Sequence, residues 1–441
     1  MAITRKELFM CAFVLKGTFA HTPQIDGFQF LEDHFLVSDG EKIVGLFKNL
    51  PEQYKNLRLY DYTGKIIIPG MSDLHIHAPQ YAFRGIGQNI EGSNWDSWFE
   101  RYAFPDESRY MDLDYAGKAY ERLANDLLKT PTTRLSMFAT IHRPATELLM
   151  DILDKKGFGG YVGKVNMDRN SIEGLLESTE ETLSETEKWI NECSGKYGLI
   201  KPIITPRYIP SCTDEAMAGL SKLIEKYDLP VQSHLSEGLD EIEWVKSLKP
   251  EITCYGQGYD MYNMLGGKTK CIQAHCIFPT DEEFELISRR ENLWVAHCAD
   301  ANLHSCGTSA PILKYIRAGV KVGLGSDSAG GSFINLFRVM WEAIIASKVH
   351  WAYTVRKNEP FVKKDFLSLA NAFYLATKGG GSFFGNVGSF EAGYQCDAVV
   401  LDDSRLIDII PRTTYERLER MISLSDDREI AAKFINGKKV L

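Results

Sequence analysis

The chain has 441 residues, more than one hydrophobic core usually serves, so we expect two or three domains or one large barrel with an appendage. A hydrophobic content of 44%, with 23 Phe and 20 Tyr, supplies enough core material to exclude a mainly disordered chain. The net charge of −9 without a Lys/Arg-rich stripe argues against nucleic acid as a partner, and the lack of 18 consecutive apolar residues argues against a membrane span.

The N-terminal segment superficially resembles a secretory signal, because Arg5 and Lys6 precede an apolar run over 8–15. Lys16 interrupts this run early and no small-residue cleavage site follows, so we predict a first β-strand there. The nine cysteines include no CxxC pair, which favours neither a disulfide framework nor a thiolate zinc finger. We therefore expect reduced thiols and a cytoplasmic protein.

Short predicted strands separated by turns occupy both ends of the chain. In the first 69 residues, apolar-rich runs flank an Asp39-Gly40 turn, and near the C-terminus another pair flanks Asn436-Gly437. We predict that the two ends pair into one small β-sandwich domain, formed by residues 1–69 and 379–441, with the rest of the chain inserted between them.

The inserted segment, residues 70–378, alternates differently. Strand-length apolar runs are separated by helical patterns such as AMAGLSKLIEKYD, which has apolar residues at spacings of three and four. The eight runs lie at 66–77, 132–140, 161–167, 199–208, 229–235, 269–276, 293–298 and 320–327. This pattern predicts an α/β fold, a (β/α)8 TIM-type barrel whose catalytic groups sit at the C-terminal ends of its strands.

Histidines and one aspartate fall at the ends of these runs. His75 and His77 end the first run, His234 the fifth, His275 the sixth and Asp327 the eighth. Residues i and i+2 of a strand face the same side, so the HxH triplet directs both imidazoles to one point. Neutral imidazoles with a carboxylate suit zinc, or iron in a similar shell. We therefore predict that these five residues hold one divalent metal ion per chain.

Three residues in this group are candidates for proton transfer. Glu237 follows His234 by three residues; it is either an ordinary loop glutamate or, at a strand end, the general acid/base of the site. A bound metal lowers the pKa of water to ~7, and Asp327 can accept the proton of that water. His275 either binds the metal or only hydrogen-bonds the activated water. His297, at the end of the seventh run, and His142, after the second, could reach the same mouth or be interior residues.

Several segments resemble the amidohydrolase superfamily and, within it, the guanine deaminase family. They are PGMSDLHIHAPQYAFRG at 69–85, ITPRYIPSC at 204–212, VQSHLSEGLDEIEWVKSL at 231–248, QAHC at 273–276 and GLGSDSAGG at 323–331. They span the whole predicted barrel. HxH preceded by PG marks the superfamily broadly, whereas HAPQY, TPRY and SHLSE together are typical of the guanine branch.

The resemblance implies hydrolytic deamination of guanine to xanthine and ammonia by a zinc centre in a cytosolic homodimer. It implies metal binding by His75, His77, His234 and Asp327, and catalysis by Glu237 and His275. It implies substrate binding by Gln80, Arg207 and Tyr208, together with His234, Glu237 and Asp327. An amide and a guanidinium can read the polar edge of a purine, and an aromatic ring can cover its face.

One segment departs from the family pattern. The loop after the seventh run typically reads HCPxSN, whereas HCADAN at 297–302 has Ala299 and Ala301 in place of the proline and serine. Because Asn302 remains, we expect altered loop stiffness or substrate affinity rather than lost chemistry. The segment at 87–104, with Trp95 and Trp98, is a candidate to close over the substrate.

Three alternatives stay open. The first is an aminohydrolase of the same superfamily acting on an adenosine-type nucleoside, a triazine or another amino-heterocycle, against which Gln80 and the Arg207-Tyr208 pair argue. The second is a non-catalytic scaffold, which retention of every ligand disfavours. The third is a two-metal hydrolase, which would usually need a carboxylated lysine at the end of the fourth strand, where Arg207 stands.

Overall fold

The computed structural model describes residues 12–88, 98–357, 363–406 and 408–441. The strand predicted over 8–15 lies partly outside these residues, and the described strand begins at Phe13. Within the described ranges, no helix combines the length and the apolar character needed to cross a bilayer.

The strands run in chain order as follows: β1 Phe13–Gln24, β2 Gly27–Ser38, β3 Ile43–Phe47, β4 Arg58–Pro69, β5 Met71–His77, β6 Thr132–Phe138, β7 Gly159–Gly163, β8 Val165–Asn166, β9 Ile200–Pro202, β10 Thr205–Pro206, β11 Val231–Leu235, β12 Cys271–His275, β13 Leu293–His297, β14 Lys321–Leu324, β15 Ala398–Leu401, β16 Ile430–Ile435 and β17 Lys438–Lys439.

The α-helices are α1 Phe104–Ser108, α2 Leu113–Leu128, α3 Arg143–Lys156, α4 Thr179–Cys193, α5 Asp214–Tyr227, α6 Leu239–Leu248, α7 Tyr255–Asp260, α8 Asp281–Ser288, α9 Ala299–Cys306, α10 Ile312–Arg317, α11 Leu336–Trp351, α12 Leu369–Tyr374 and α13 Thr414–Leu424.

Both ends of the chain build the small β domain. Its strands form one seven-stranded sheet in the order β17-β16-β15-β4-β1-β2-β3, in which β4 pairs with β1 and with β15. The predicted turn at Asn436-Gly437 connects β16 to β17. Its φ angles of 48° and 76° are both positive, which favours asparagine and glycine at these positions. Phe19, Ile67 and Phe434 belong to an apolar cluster that this sheet buries.

The sequence pattern predicted only β-strands in the C-terminal segment, but the structure also has a helix there. Helix α13 lies between β15 and β16 and buries Leu418, Met421 and Ile422 in the large apolar cluster of the barrel. Its i, i+3, i+4 spacing is helical, but it is short and lies between two strand-like runs.

The eight predicted runs each overlap a strand of the barrel, which confirms the (β/α)8 fold. Parallel strands follow the order β11-β12-β13-β14-β5-β6-β7-β9, and a parallel bridge between Ile204 and Val231 closes the ring. The backbone N–H of Gln232 donates to the carbonyl of Ile204 at 2.9 Å across this closure. Closure places the C-terminal ends of all eight strands around one mouth.

The first predicted run, 66–77, is divided between the two domains at Gly70. Residues before it end β4 in the small sheet, and residues after it form β5 in the barrel. A Cβ atom at Gly70 would overlap the side chain of Thr133, so only glycine allows this close approach of β5 to β6.

A buried ion pair joins the small domain to the barrel. Arg134 on β6 donates from Nε to Asp397 Oδ2 at 2.7 Å and from Nη2 to Oδ1 at 2.9 Å. Asp397 also accepts from the Thr133 hydroxyl at 3.0 Å and from the Asn436 backbone N–H at 2.7 Å. Four donors therefore satisfy one carboxylate that is removed from water.

We expect Asp397→Ala to lower the free energy of unfolding by about 3–5 kcal/mol, because it leaves the Arg134 guanidinium buried without a counter-charge. Urea denaturation measures the change. The control is Glu285→Ala, which removes the exposed pair with Arg289 and should cost less than about 1 kcal/mol. Equal losses in both variants would contradict the prediction.

Candidate metal centre and active-site cavity

Four barrel strands deliver the predicted metal ligands to one mouth. His75 and His77 lie on β5, His234 on β11 and His275 on β12, and Asp327 follows β14 by three residues. All five side chains are buried. The rings of His75 and His77 lie 4.9 Å apart, as expected for residues i and i+2 on one side of a strand.

The donor atoms lie at the spacings that a tetrahedrally coordinated cation requires. His77 Nε2 is 3.1 Å from His234 Nε2, close to the ~3.3 Å edge of a tetrahedron with metal–nitrogen distances of ~2.0–2.1 Å. Asp327 Oδ1 is 3.2 Å from His75 Nε2 and 3.6 Å from His77 Nε2. Among the described residues, neither ring nitrogen of His75 has a hydrogen-bond partner. A cation would satisfy these buried nitrogens, so the residues fit a metal ion.

Hydrogen bonds behind the histidines set their ring orientation. His234 Nδ1 donates to the carbonyl of Arg207 at 2.6 Å, and His275 Nδ1 donates to Asn302 Oδ1 at 2.8 Å. Each bond leaves the lone pair of Nε2 directed into the mouth. Burial lowers the pKa of His77 and of His234 well below the usual value, which keeps both imidazoles neutral, as metal ligands must be.

The possible ligands form two overlapping groups. One contains His75, His77 and His234, and the other contains His75, His275, Asp327 and Cys298; within each group the donor atoms lie within 4.8 Å of one another. No sequence pattern marks Cys298. Burial raises the pKa of its thiol well above the usual value.

His275 lies between the metal ligands and the candidate proton carrier. Its Nε2 is 3.5 Å from Glu237 Oε2 and 3.8 Å from Asp327 Oδ2. His275 and Asp327 both have positive φ angles, 71° and 47°, which cost non-glycine residues ~1–3 kcal/mol and concentrate at functional sites. The backbone thus holds these two side chains in a strained arrangement that the barrel maintains.

Glu237 is held in place by a second glutamate. The backbone N–H of Glu237 donates to Glu241 Oε2 at 3.0 Å, and Glu241 Oε1 accepts from the Tyr255 hydroxyl at 2.8 Å. Burial, reinforced by the charge of Asp327, raises the pKa of Glu237 well above its usual value. A raised pKa makes this carboxyl a better proton acceptor, as a group that both receives and delivers a proton requires.

The residues expected to bind substrate open onto the same cavity. Gln80 lies in the turn after β5, and Arg207 and Tyr208 follow β10. Trp98 also lines the cavity, whereas Trp95 lies outside the described residues. The lining residues are His77, Gln80, Trp98, Phe99, Arg207, Tyr208, His234, Glu237, Glu241, His275, Asp327 and Gly330.

A buried glutamate that the sequence analysis missed connects two of these residues. Glu107 on α1 accepts from Gln80 Nε2 at 2.8 Å and from both terminal nitrogens of Arg207, at 2.9 and 3.2 Å. Arg207 is therefore an interior residue and not a surface ion-pair partner. No motif marks Glu107, because α1 lies outside the strand ends and no spacing rule relates it to residues distant in sequence.

The HCADAN segment begins a helix. Ala299 and Ala301 are buried in the first turn of α9, and Asn302 still reaches His275. Asp300 ties this helix to the loop after β14 by accepting from the Ser332 backbone N–H at 2.5 Å. Among the described residues, His297 is buried but belongs to neither ligand group. His142 is the N-cap residue that precedes α3 and is absent from the described lining of the cavity.

Comparison with known proteins agrees with this geometry. The model of the amidohydrolase family matches residues 66–440. The guanine deaminase of Dictyostelium discoideum is 34% identical over 97% of this chain and 98% of its own. The guanine deaminase of Rattus norvegicus is 35% identical over 100% of this chain and 98% of its own. The crystal structure of guanine deaminase from C. acetobutylicum with guanine in its active site has a TM-score of 0.91 at 44% identity, covering 98% of this chain and 100% of that one.

We expect elemental analysis of the purified protein to find about one divalent cation per chain. His77→Ala should lose most of it, because His77 Nε2 faces His234 Nε2 at 3.1 Å and one donor of the set would be missing. His304→Ala changes an exposed histidine of α9 and is the control, with unchanged metal content. Two cations per chain in the unmodified protein would indicate a dinuclear site instead.

Proposed function

Because this chain belongs to the amidohydrolase family, we propose that it hydrolyses guanine to xanthine and ammonia. One observation carries the proposal: Gln80, Arg207 and Tyr208 line the same cavity as the candidate metal ligands and Glu237. The full-length similarity to guanine deaminases supports it. The enzyme would take part in the breakdown of purines.

We propose that the metal is zinc and that His75, His77, His234 and Asp327 hold it, with His275 either as a further ligand or as a hydrogen-bond partner of the reacting water. The nitrogen-rich donor set with one carboxylate supports zinc, with iron as the alternative. When bound, the ion supplies a Lewis acid that makes water a nucleophile near neutral pH.

Glu237 carries the proton in the proposed reaction. Water adds to the guanine carbon that bears the amino group, and Asp327 accepts a proton from this water. Glu237 gives its proton to a ring nitrogen bonded to that carbon, takes up the second proton of the added oxygen and passes it to the amine. The carbon–nitrogen bond then breaks to release ammonia as the carbonyl forms, and the proton held by Asp327 returns to Glu237. His275 Nε2, 3.5 Å from Glu237 Oε2, presents its lone pair to the reacting water and accepts a hydrogen bond that orients it.

Arg207 and Gln80 favour guanine over an adenine-type base. The polar edge of guanine presents two acceptors, N7 and O6, whereas adenine presents an acceptor and an amino donor. Arginine has only donors, so Arg207 matches the first pattern and leaves the adenine amino group unpaired. Tyr208 and Phe99, which line the cavity beside Arg207, offer ring surfaces for the purine face.

We further propose that the protein works as a cytoplasmic homodimer. The eight described cysteines are all free, which supports a reducing compartment. The dimer is what the resemblance to the guanine deaminase family implies, and light scattering that reads the mass of two chains would agree with it.

The purified protein should convert guanine to xanthine and ammonia, followed by ultraviolet absorbance and by an ammonia assay. The same panel should include adenine, adenosine, a triazine and other aminopurines, all turned over far more slowly because they do not present paired acceptors to Arg207. Turnover of one of these with guanine left intact would replace the proposed substrate. No turnover of any compound by metal-loaded protein would favour a scaffold.

Glu237→Gln should retain the metal but lose most turnover, with kcat falling by about 10²–10⁴-fold, because an amide cannot carry the proton. Elemental analysis and steady-state kinetics measure the two effects. Glu243→Gln is the matched control: it makes the same change at an exposed glutamate on α6, and kcat should stay the same. An unchanged kcat in Glu237→Gln would remove this residue from the mechanism.

A further inference from the structure

Glu107 neutralises Arg207, the one Lys or Arg side chain among the described residues that line the proposed purine site. Glu107 and Arg207 are 1% and 2% exposed, so neither charge can be hydrated by bulk water. Nη1 of Arg207 donates to Oε2 of Glu107 at 2.9 Å, and Nη2 donates to Oε1 at 3.2 Å. This bidentate geometry is the strongest form of an Arg–carboxylate pair.

The ion pair leaves Arg207 able to contact a ligand. A guanidinium has five N–H donors, of which Glu107 occupies two, so the remaining donors stay available on the other edges. The guanidinium carbon lies 5.3 Å from the ring centre of Phe99 and 5.6 Å from that of Phe104. Carboxylate and rings together fix the plane of the guanidinium.

Glu107 also determines which way the amide of Gln80 points. A carboxylate only accepts, so the group 2.8 Å from Glu107 Oε1 must be the amide nitrogen of Gln80. The amide oxygen of Gln80 then accepts from the backbone N–H of Ala329 at 2.9 Å. One N–H and one lone pair of Gln80 remain for a ligand, in fixed positions.

We propose that Glu107 is a positioning residue that holds Gln80 and Arg207 as one fixed hydrogen-bonding surface without net charge, selecting uncharged purines over anionic ones. The proposal rests on the proposed function, because it takes the cavity to be the purine site. Glu107 is absent from the cavity lining within the described residues, so it acts through its two partners. Without its charge, Arg207 would attract anionic purines, among them the ionised form of xanthine.

The test compares the affinities of two purines that cannot lose a 2-amino group: hypoxanthine, which is neutral at pH 7, and urate, which is an anion. Calorimetry on metal-loaded protein gives both affinities. In Glu107→Gln, hypoxanthine binding should weaken roughly 10- to 100-fold, as for loss of charged hydrogen bonds, while urate binding is unchanged or tighter. The KM for guanine should rise by a similar factor, with a smaller change in kcat.

Two further variants distinguish the effect of losing the Glu107 charge from a general loss of structure. Glu429→Gln makes the same change at a buried carboxylate of the small domain, which accepts from the Asp426 N–H at 2.9 Å, and should alter neither affinity. Glu107→Asp keeps the charge but shortens the side chain, so both purines should weaken by a similar factor and their affinity ratio should stay as in the wild type. If Glu107→Gln does not fold, unchanged hypoxanthine binding in Glu107→Asp overturns the proposal.

The outcomes also distinguish this proposal from the proposed function. An unchanged ratio of urate to hypoxanthine affinity in folded Glu107→Gln overturns the role of Glu107, even if the wild type deaminates guanine. A shifted ratio in a protein that leaves guanine intact supports Glu107 and overturns the guanine assignment. Wild-type protein that binds neither purine overturns the proposal as well.

Discussion

The site depends on one close approach: two imidazole nitrogens, from strands 157 residues apart in sequence, face each other at 3.1 Å in a buried mouth. A hydrogen bond between them needs a proton on one of the two nitrogens, whereas a cation would use both lone pairs. Neither ring nitrogen of nearby His75 has a hydrogen-bond partner among the described residues, so this cluster of buried nitrogens is costly unless a cation binds it. Closure of the barrel between Ile204 and β11 enforces it, because the same closure fixes where β11 ends.

Polar partners around the cavity hold three of the reacting residues in place. The carbonyl of Arg207 orients His234, Asn302 orients His275, and Glu241 holds the backbone of Glu237. These partners come from different βα segments, so the geometry of the site belongs to the whole barrel and not to one loop. Preorganisation of this kind is what lowers the barrier for reactions that develop charge.

The sequence predicted most of the barrel and the first layer of the site, because both follow local rules. Strand-length runs and the HxH spacing are readable within a few residues, and the barrel places their ends together. Cys298 and Glu107 were not predicted as site residues, since they join the site only through contacts between distant segments. The run 66–77, predicted as one strand, is divided between two sheets at Gly70, because continuous hydrophobicity hides a change of sheet.

The pairing of β4 with β15 has a consequence for how the protein is made. Pro69 pairs with Ala398, so the chain leaves the small sheet and returns to the neighbouring strand after more than 300 residues. During synthesis, one edge of β4 therefore stays unpaired while the barrel emerges from the ribosome. The sheet closes over β4 only when β15 has emerged, and a truncation that removes β15 leaves β4 with an open strand edge that can associate with other nascent chains.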